Sequence, residues 1–250
     1  MKLRQKQGFR RVVGTPNDFG MSGDAPTHPQ LLEWLAGQLV ESGWSIRHIQ
    51  RLILESRVWK QSGESDEQRL SVDRDNRLWW HRPRRRLEAE ALRDSMLTVA
   101  GSLDRTPFGP GTLNQNMKRR SVYFFIKRSA LIPVMMLFDW PEHLVSIGKR
   151  PVTTIAPQAL MFMNSPEGRI MAEEFAKRIR EIPQERRLQE GWWLAFSRAP
   201  REQELVAMRS FLEQQLDAYS TDHADKDAEL LALVDLCQTL FAMNEFVYVE

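Results

Sequence analysis

Arg84-Arg85-Arg86-Leu87-Glu88-Ala89-Glu90-Ala91-Leu92-Arg93-Asp94-Ser95-Met96-Leu97 is the stretch whose reading decides the fold. At roughly 100° per residue, Ala89, Leu92, Met96, Val99, Ala100 and Leu103 fall on one apolar arc, and Arg86, Glu90, Arg93 and Asp94 on another. The spacing predicts a helix from Arg86 to Leu103 with a greasy side and a charged side. Arg86 and Glu90 stand four apart and can pair, whereas Glu90 and Asp94, also four apart, repel. Such a face is either a solvated ion network or the wall of a polar site.

Upstream, Thr27 with Pro29 and Gln30 has the spacing of a capped helix start. Leu31, Leu32, Trp34, Leu35, Leu39 and Val40 follow at helical intervals, and Gly43 is a stop signal. Ser45 caps a second helix carrying Ile46, Ile49, Leu52 and Ile53, so the pair reads as a hairpin of helices. Residues 60–80 are polar and read as loop, and residues 104–120 as a long irregular stretch, the natural lid over a site. Ser121-Val122-Tyr123-Phe124-Phe125-Ile126-Lys127 is the best strand candidate. From Pro157 the pattern is helical, with starts at Pro157, Ser165, Pro183, Pro200 and about Asp227, and an extended tail from Phe246 to Val249. The expected class is mainly α: a single irregular helical bundle of about eight helices with one or two short strands. Residues 1–14 read as a basic N-terminal segment at a boundary, and residues 15–250 as one helical domain with a soft boundary near 141–156.

Composition bounds the function. The chain has 250 residues, 42% apolar and 27% charged, in the range of globular proteins. A net charge of +2 demands neither nucleic acid nor an acidic membrane as partner. Arginine supplies 27 of the 35 cations and favours bidentate ion pairs. The lone cysteine, Cys237, sits among apolar residues and reads as a small buried hydrophobe. No apolar run approaches the length of about 18 residues that a bilayer needs, and the first residues lack the apolar stretch of a signal peptide. No Gly-x-Gly-x-x-Gly, Gly-x-Ser-x-Gly, His-Glu-x-x-His or Cys-x-x-Cys-His occurs, and the five histidines lack metal-ligand spacing, so no cofactor or metal is expected in this chain.

The candidate catalytic residues are Glu88, Glu90, Asp94 and Asp18, because two carboxylates flanking a cleft can act as acid and base on a sugar. The plainer reading pairs the first three with Arg84, Arg85, Arg86 and Arg93, and puts Asp18 in a turn. The ligand-binding candidates are His28, Arg86, Arg93, Arg128 and Asn164. Trp79-Trp80-His81-Arg82 and the arginines after them could hold a nucleic acid or an acidic sugar, but Glu88 and Glu90 offset that charge.

Several motifs together resemble a known family. Thr15-Pro16-Asn17-Asp18-Phe19-Gly20, Pro26-Thr27-His28-Pro29-Gln30-Leu31-Leu32, Trp59-Lys60-Gln61-Ser62 and Asp75-Asn76-Arg77-Leu78-Trp79 come first. Arg84 to Glu90, Arg93-Asp94, Arg120-Ser121-Val122-Tyr123, Phe138-Asp139, Val152-Thr153-Thr154 and Ala156-Pro157-Gln158 follow, then Asn164-Ser165-Pro166, Asp235-Leu236-Cys237-Gln238 and Asn244 to Val249. This series is similar to the DUF1553 family, the C-terminal domain of large planctomycete proteins that also carry a PSD1 label and a cytochrome c domain. The resemblance implies an exported, periplasmic or extracellular protein of the cell envelope. It also implies upstream partner domains, one haem-binding and one DUF1549-like, and no known catalytic residue. The expected function is therefore an accessory domain binding a partner domain or a carbohydrate or acidic ligand, with a carbohydrate-active hydrolase using paired carboxylates as the alternative.

Overall fold

A computed structural model of the chain describes residues 12–15, 17, 18, 20–127, 129–141, 150–222 and 227–249. These fall into two compact units, one comprising residues 12–85 with 150–152, the other residues 86–141 with 153–249.

The first unit begins with α1 (Pro29–Glu41), α2 (Ile46–Glu55) and α3 (Glu67–Val72). Proline opens α1, but His28 rather than Thr27 occupies the capping position. The Thr27 hydroxyl is drawn instead to Val12 O (3.3 Å) and the His28 ring (Nδ1, 2.9 Å), so the expected capping box does not form. The turn to α2 passes through Gly43 and Trp44, both at positive φ (68° and 63°). Ser45 Oγ then accepts from His48 N at 3.3 Å and caps α2 as its sequence position requires. Leu31, Leu35, Leu39, Ile49 and Leu52 form the half-buried seam of the hairpin. The polar stretch after α2 is more ordered than its composition indicates. Asp66 caps α3, and the Asp73 carboxylate gathers Arg77 N (2.9 Å) and Leu78 N (2.7 Å) into a tight turn. Buried Asn76 closes that turn by donating to His81 O at 2.8 Å.

The chain leaves this unit through β1 (Arg85–Arg86), paired with β2 (Tyr248–Val249) in a two-stranded ladder. The second unit is helical: α4 (Ala89–Ala100), α5 (Pro133–Leu137), α6 (Ala156–Asn164), α7 (Pro166–Arg180), α8 (Gln184–Phe196), α9 (Glu202–Asp222), α10 (Ala228–Ala242) and α11 (Asn244–Val247). With eleven α-helices and one two-stranded sheet among the described residues, the class is mainly α, as the sequence predicts.

Helix α10 is the axis of this unit, packed against α6, α7, α8, α9 and α11. Its Leu233, Val234, Leu236, Cys237, Leu240 and Phe241 are all buried, because apolar residues occupy most of its circumference. Phe241 stacks on Phe175 (5.6 Å between centroids) and meets Phe246 (5.0 Å). Helix α4 is a flanking helix, packed on α5 and α7 and not at the centre. Its Leu92 and Met96 are buried as predicted. It is shorter than the sequence pattern at both ends. Arg86 runs extended and Leu87 N donates to Val247 O (2.8 Å), while Gly101 in the left-handed region (φ 77°) closes the other end. Arg86 and Glu90 are therefore not partners along one helix.

The predicted strand at 121–127 is also replaced. Ser121–Tyr123 is a 3-10 turn, followed by isolated bridges from Phe124 to Thr112 and from Lys127 to Ala130. Ser121 and Phe124, three apart, are buried while Val122, Phe125 and Ile126 are exposed, so the in–out alternation of a strand is absent.

Candidate functional site

The charged side of α4 is built into the fold. Asp94 Oδ1 accepts the backbone N–H of Ser121 at 2.7 Å, and Oδ2 lies 3.5 Å from Arg120 Nε. The Arg93 side chain, 7% exposed, donates through Nη1 to Arg119 O (3.1 Å) and Ser121 Oγ (3.2 Å), and through Nη2 to Met117 O. Its guanidinium also lies over the Phe124 ring at 4.8 Å. Burial lowers the Arg93 pKa from its ordinary value, and the Asp94 charge opposes that shift. Adjacent residues of one helix thus fix the 3-10 turn from two sides. Arg119 does the same for the preceding loop: it donates to Phe108 O and Pro110 O (3.3 Å) and stacks on Tyr123 at 3.7 Å. The loop read as a lid is folded around that guanidinium.

Arg86, with a side chain 3% exposed, pairs through Nη2 with Asp139 Oδ2 at 2.6 Å and lies 5.0 Å from the Phe138 ring centroid. Asp139 accepts as well from Thr153 N (2.7 Å) and Thr153 Oγ1 (2.8 Å). Gln158 donates to Leu137 O at 2.9 Å, so one polar knot joins α5 to the start of α6. Glu90 accepts the indole N–H of Trp140 at 2.9 Å beside it. Asp139 has no spacing signal that marks it as a partner of Arg86, although Phe138-Asp139 is one of the resembling motifs. A second knot was also missed. Gln238 donates to Phe162 O and Met163 O (both 2.8 Å) and accepts from Arg169 (2.9 Å), while Asp235 pairs with Arg169 and accepts from Tyr219 at 2.7 Å. Two polar residues three apart inside an apolar helix were the signal for it.

The remaining candidates are dispersed. Glu88 holds the capping position of α4 without a side-chain cap bond, and Asn164 is the exposed last residue of α6. Arg128 lies outside the described residues. Asp18 and His28 belong to the first unit. Asp18 sits in a turn closed by Thr15, whose carbonyl accepts Asp18 N at 3.1 Å and whose hydroxyl donates to Asp18 O at 3.0 Å. His28 stacks on Trp79 at 4.6 Å. Among the described residues no group of three His, Cys, Asp or Glu side chains could hold a metal, and no helix is long and apolar enough to cross a membrane.

Two concavities mark the second unit. One, of about 40 Å³, is lined by Met96, Met135, Met161 and Met171 with Leu92 and Phe138, and has room for little more than a water molecule. The other is an open groove of about 330 Å³ between α4, the end of α8 and the C-terminal segment.

The family model PSD1, described as a protein of unknown function (DUF1553), matches residues 9–212. The chain belongs to the DUF1553 family. No curated protein and no solved structure matches it. The DUF1553 match includes Arg86, Arg93, Asp94, Asp139 and Arg169, while Asp235, Gln238 and the C-terminal wall of the groove lie beyond it.

Proposed function

We propose that this DUF1553 chain is a non-catalytic accessory module that docks a partner domain through the α1–α2 hairpin. The observation that carries the reading is the surface of that hairpin. Neither helix has a buried residue, and Trp34, Val40, Trp44, Ile46, Ile53 and Leu54 are all exposed, Trp44 at 70% and Ile46 at 68%. Large exposed apolar side chains concentrated on one short hairpin support an interaction surface, and aromatic side chains are prominent among the anchor residues of such interfaces. The partner we propose is the DUF1549-like domain of an exported, cell-envelope protein of this family. Of the carboxylates in the hydrolase alternative, Asp94 accepts the backbone N–H of Ser121 and lies beside Arg120, and Glu90 accepts the Trp140 indole N–H.

The test is calorimetric titration of the chain with a separately produced DUF1549-like domain. Association that weakens about 30-fold or more in Ile46→Asp is expected for an anchor residue worth about 2 kcal/mol. Absence of association, or an unaltered affinity in Ile46→Asp, would overturn the proposal.

A further inference from the structure

We infer that the 330 Å³ groove of the second unit is a binding site for a single neutral sugar residue, a site independent of the hairpin. Its volume lies at the lower end of the range of small-ligand sites, about 300–1,000 Å³. Its lining is amphipathic in the way a pyranose is. Phe196 and Tyr248 offer aromatic surface for the C–H face of the ring, Phe246 (6% exposed) contributes little more than an edge, and the hydroxyl-bearing residues Ser95, Thr98 and Ser197 share the lining.

The aromatic wall is set in advance. The Phe196 ring rests against Trp192 at 4.6 Å, and the Phe246 ring against Phe241 at 5.0 Å. Fixed rings stack on a ligand without losing side-chain freedom. The Thr98 hydroxyl donates to Asp94 O at 2.6 Å, which leaves its lone pairs to accept from a ligand hydroxyl.

Electrostatics disfavours an anionic ligand. The carboxylate in the lining is Glu245, and both its oxygens are taken by Arg198, at 2.6 Å from Nε and 2.7 Å from Nη2. Arg198 is shared with Glu204, bound through two further hydrogen bonds of 2.8 Å. Two carboxylates share that one guanidinium, so an anionic ligand meets no cation left to pair with on that side. A peptide added as a strand would need a longer edge than the two residues of β2.

The test uses saturation-transfer NMR of the whole chain with glucose and N-acetylglucosamine as probes, and sodium sulfate as the charged control. Transfer to the ring protons of at least one sugar is expected, with a Kd on the order of 1 mM for so open a site. Thr98→Met, an exposed helical position given a bulkier residue that favours helix, should abolish the transfer and leave the melting midpoint unchanged. Tyr248→Phe, which removes only a hydroxyl, should weaken it several-fold. Absence of transfer from both sugars, transfer undiminished in Thr98→Met, or sulfate displacing the sugar would each overturn the assignment.

Discussion

Replacing Asp94 with alanine should destabilise the second unit by about 3 kcal/mol, although the residue is partly exposed. Its Oδ1 holds the backbone N–H of Ser121 at 2.7 Å, and Ser121 is 2% exposed, so water cannot replace the lost acceptor. A hydrogen bond to a charged acceptor contributes about 1.5–3 kcal/mol, and stranding a buried donor costs a similar amount that overlaps with it. Asp94 also faces buried Arg93 at 3.9 Å, while its 3.5 Å contact with the mostly exposed Arg120 adds under about 1 kcal/mol. For a domain of this size, 3 kcal/mol corresponds to a drop in melting temperature of about 6–12 °C. Asp94→Asn keeps an acceptor oxygen for Ser121 N but loses the charge and the oxygen facing Arg120, so it should cost about 1 kcal/mol. Urea unfolding followed by far-UV circular dichroism reads both variants. If Asp94→Ala changes stability by less than about 0.5 kcal/mol, as a free surface carboxylate would, the carboxylate does not hold the turn and is available for a ligand.

Three further outcomes follow from the same geometry. Cys237 is fully buried and burial pushes its thiol up, so a thiol reagent at pH 8 should label it only as fast as the chain unfolds, and at once in denaturant. Gln238→Leu leaves the carbonyls of Phe162 and Met163 without their donor and should lower the urea midpoint by the equivalent of about 2–4 kcal/mol. The Arg198 hydrogen bonds hold the Glu204 carboxyl down to about 2, below its ordinary 4.5. The folded state then binds fewer protons than the unfolded one in that interval, so this contribution is complete above pH 4.5 and is lost as pH falls toward 2. Thermal melts across that window should fall less steeply in Glu204→Gln than in the parent chain.

Local signals were the legible part of the sequence. Ser45, Ser165 and Asp227 cap the helices they precede, and the Leu92–Met96 face is buried, because caps and periodic faces depend on neighbours within a turn or two. What was misread depends on distant partners. Arg86 is extended because Leu87 bonds to Val247 near the other end of the chain, and Ser121 turns because Asp94 and Arg93 seize it. Tertiary contacts of this kind override both helical spacing and the strand preference of an aromatic run. The candidate carboxylates were found as residues, but their roles were not, since a spacing of four cannot reveal that Glu90 receives Trp140 or that Asp139 takes Arg86. The groove was invisible for the same reason: Ser95, Phe196 and Tyr248 come from three separate segments.

The sharpest measurement is a paired one on Ile46→Asp, taking its melting temperature and its affinity for the DUF1549-like domain. Ile46 is the first residue of α2 and is 68% exposed, so an aspartate there loses little burial and gains from the helix dipole. A docking face requires the melting temperature to hold or rise slightly while the association is lost. A lower melting temperature with the affinity intact would mean that Ile46 serves the fold of this chain, and the hairpin would no longer be a surface built for another protein.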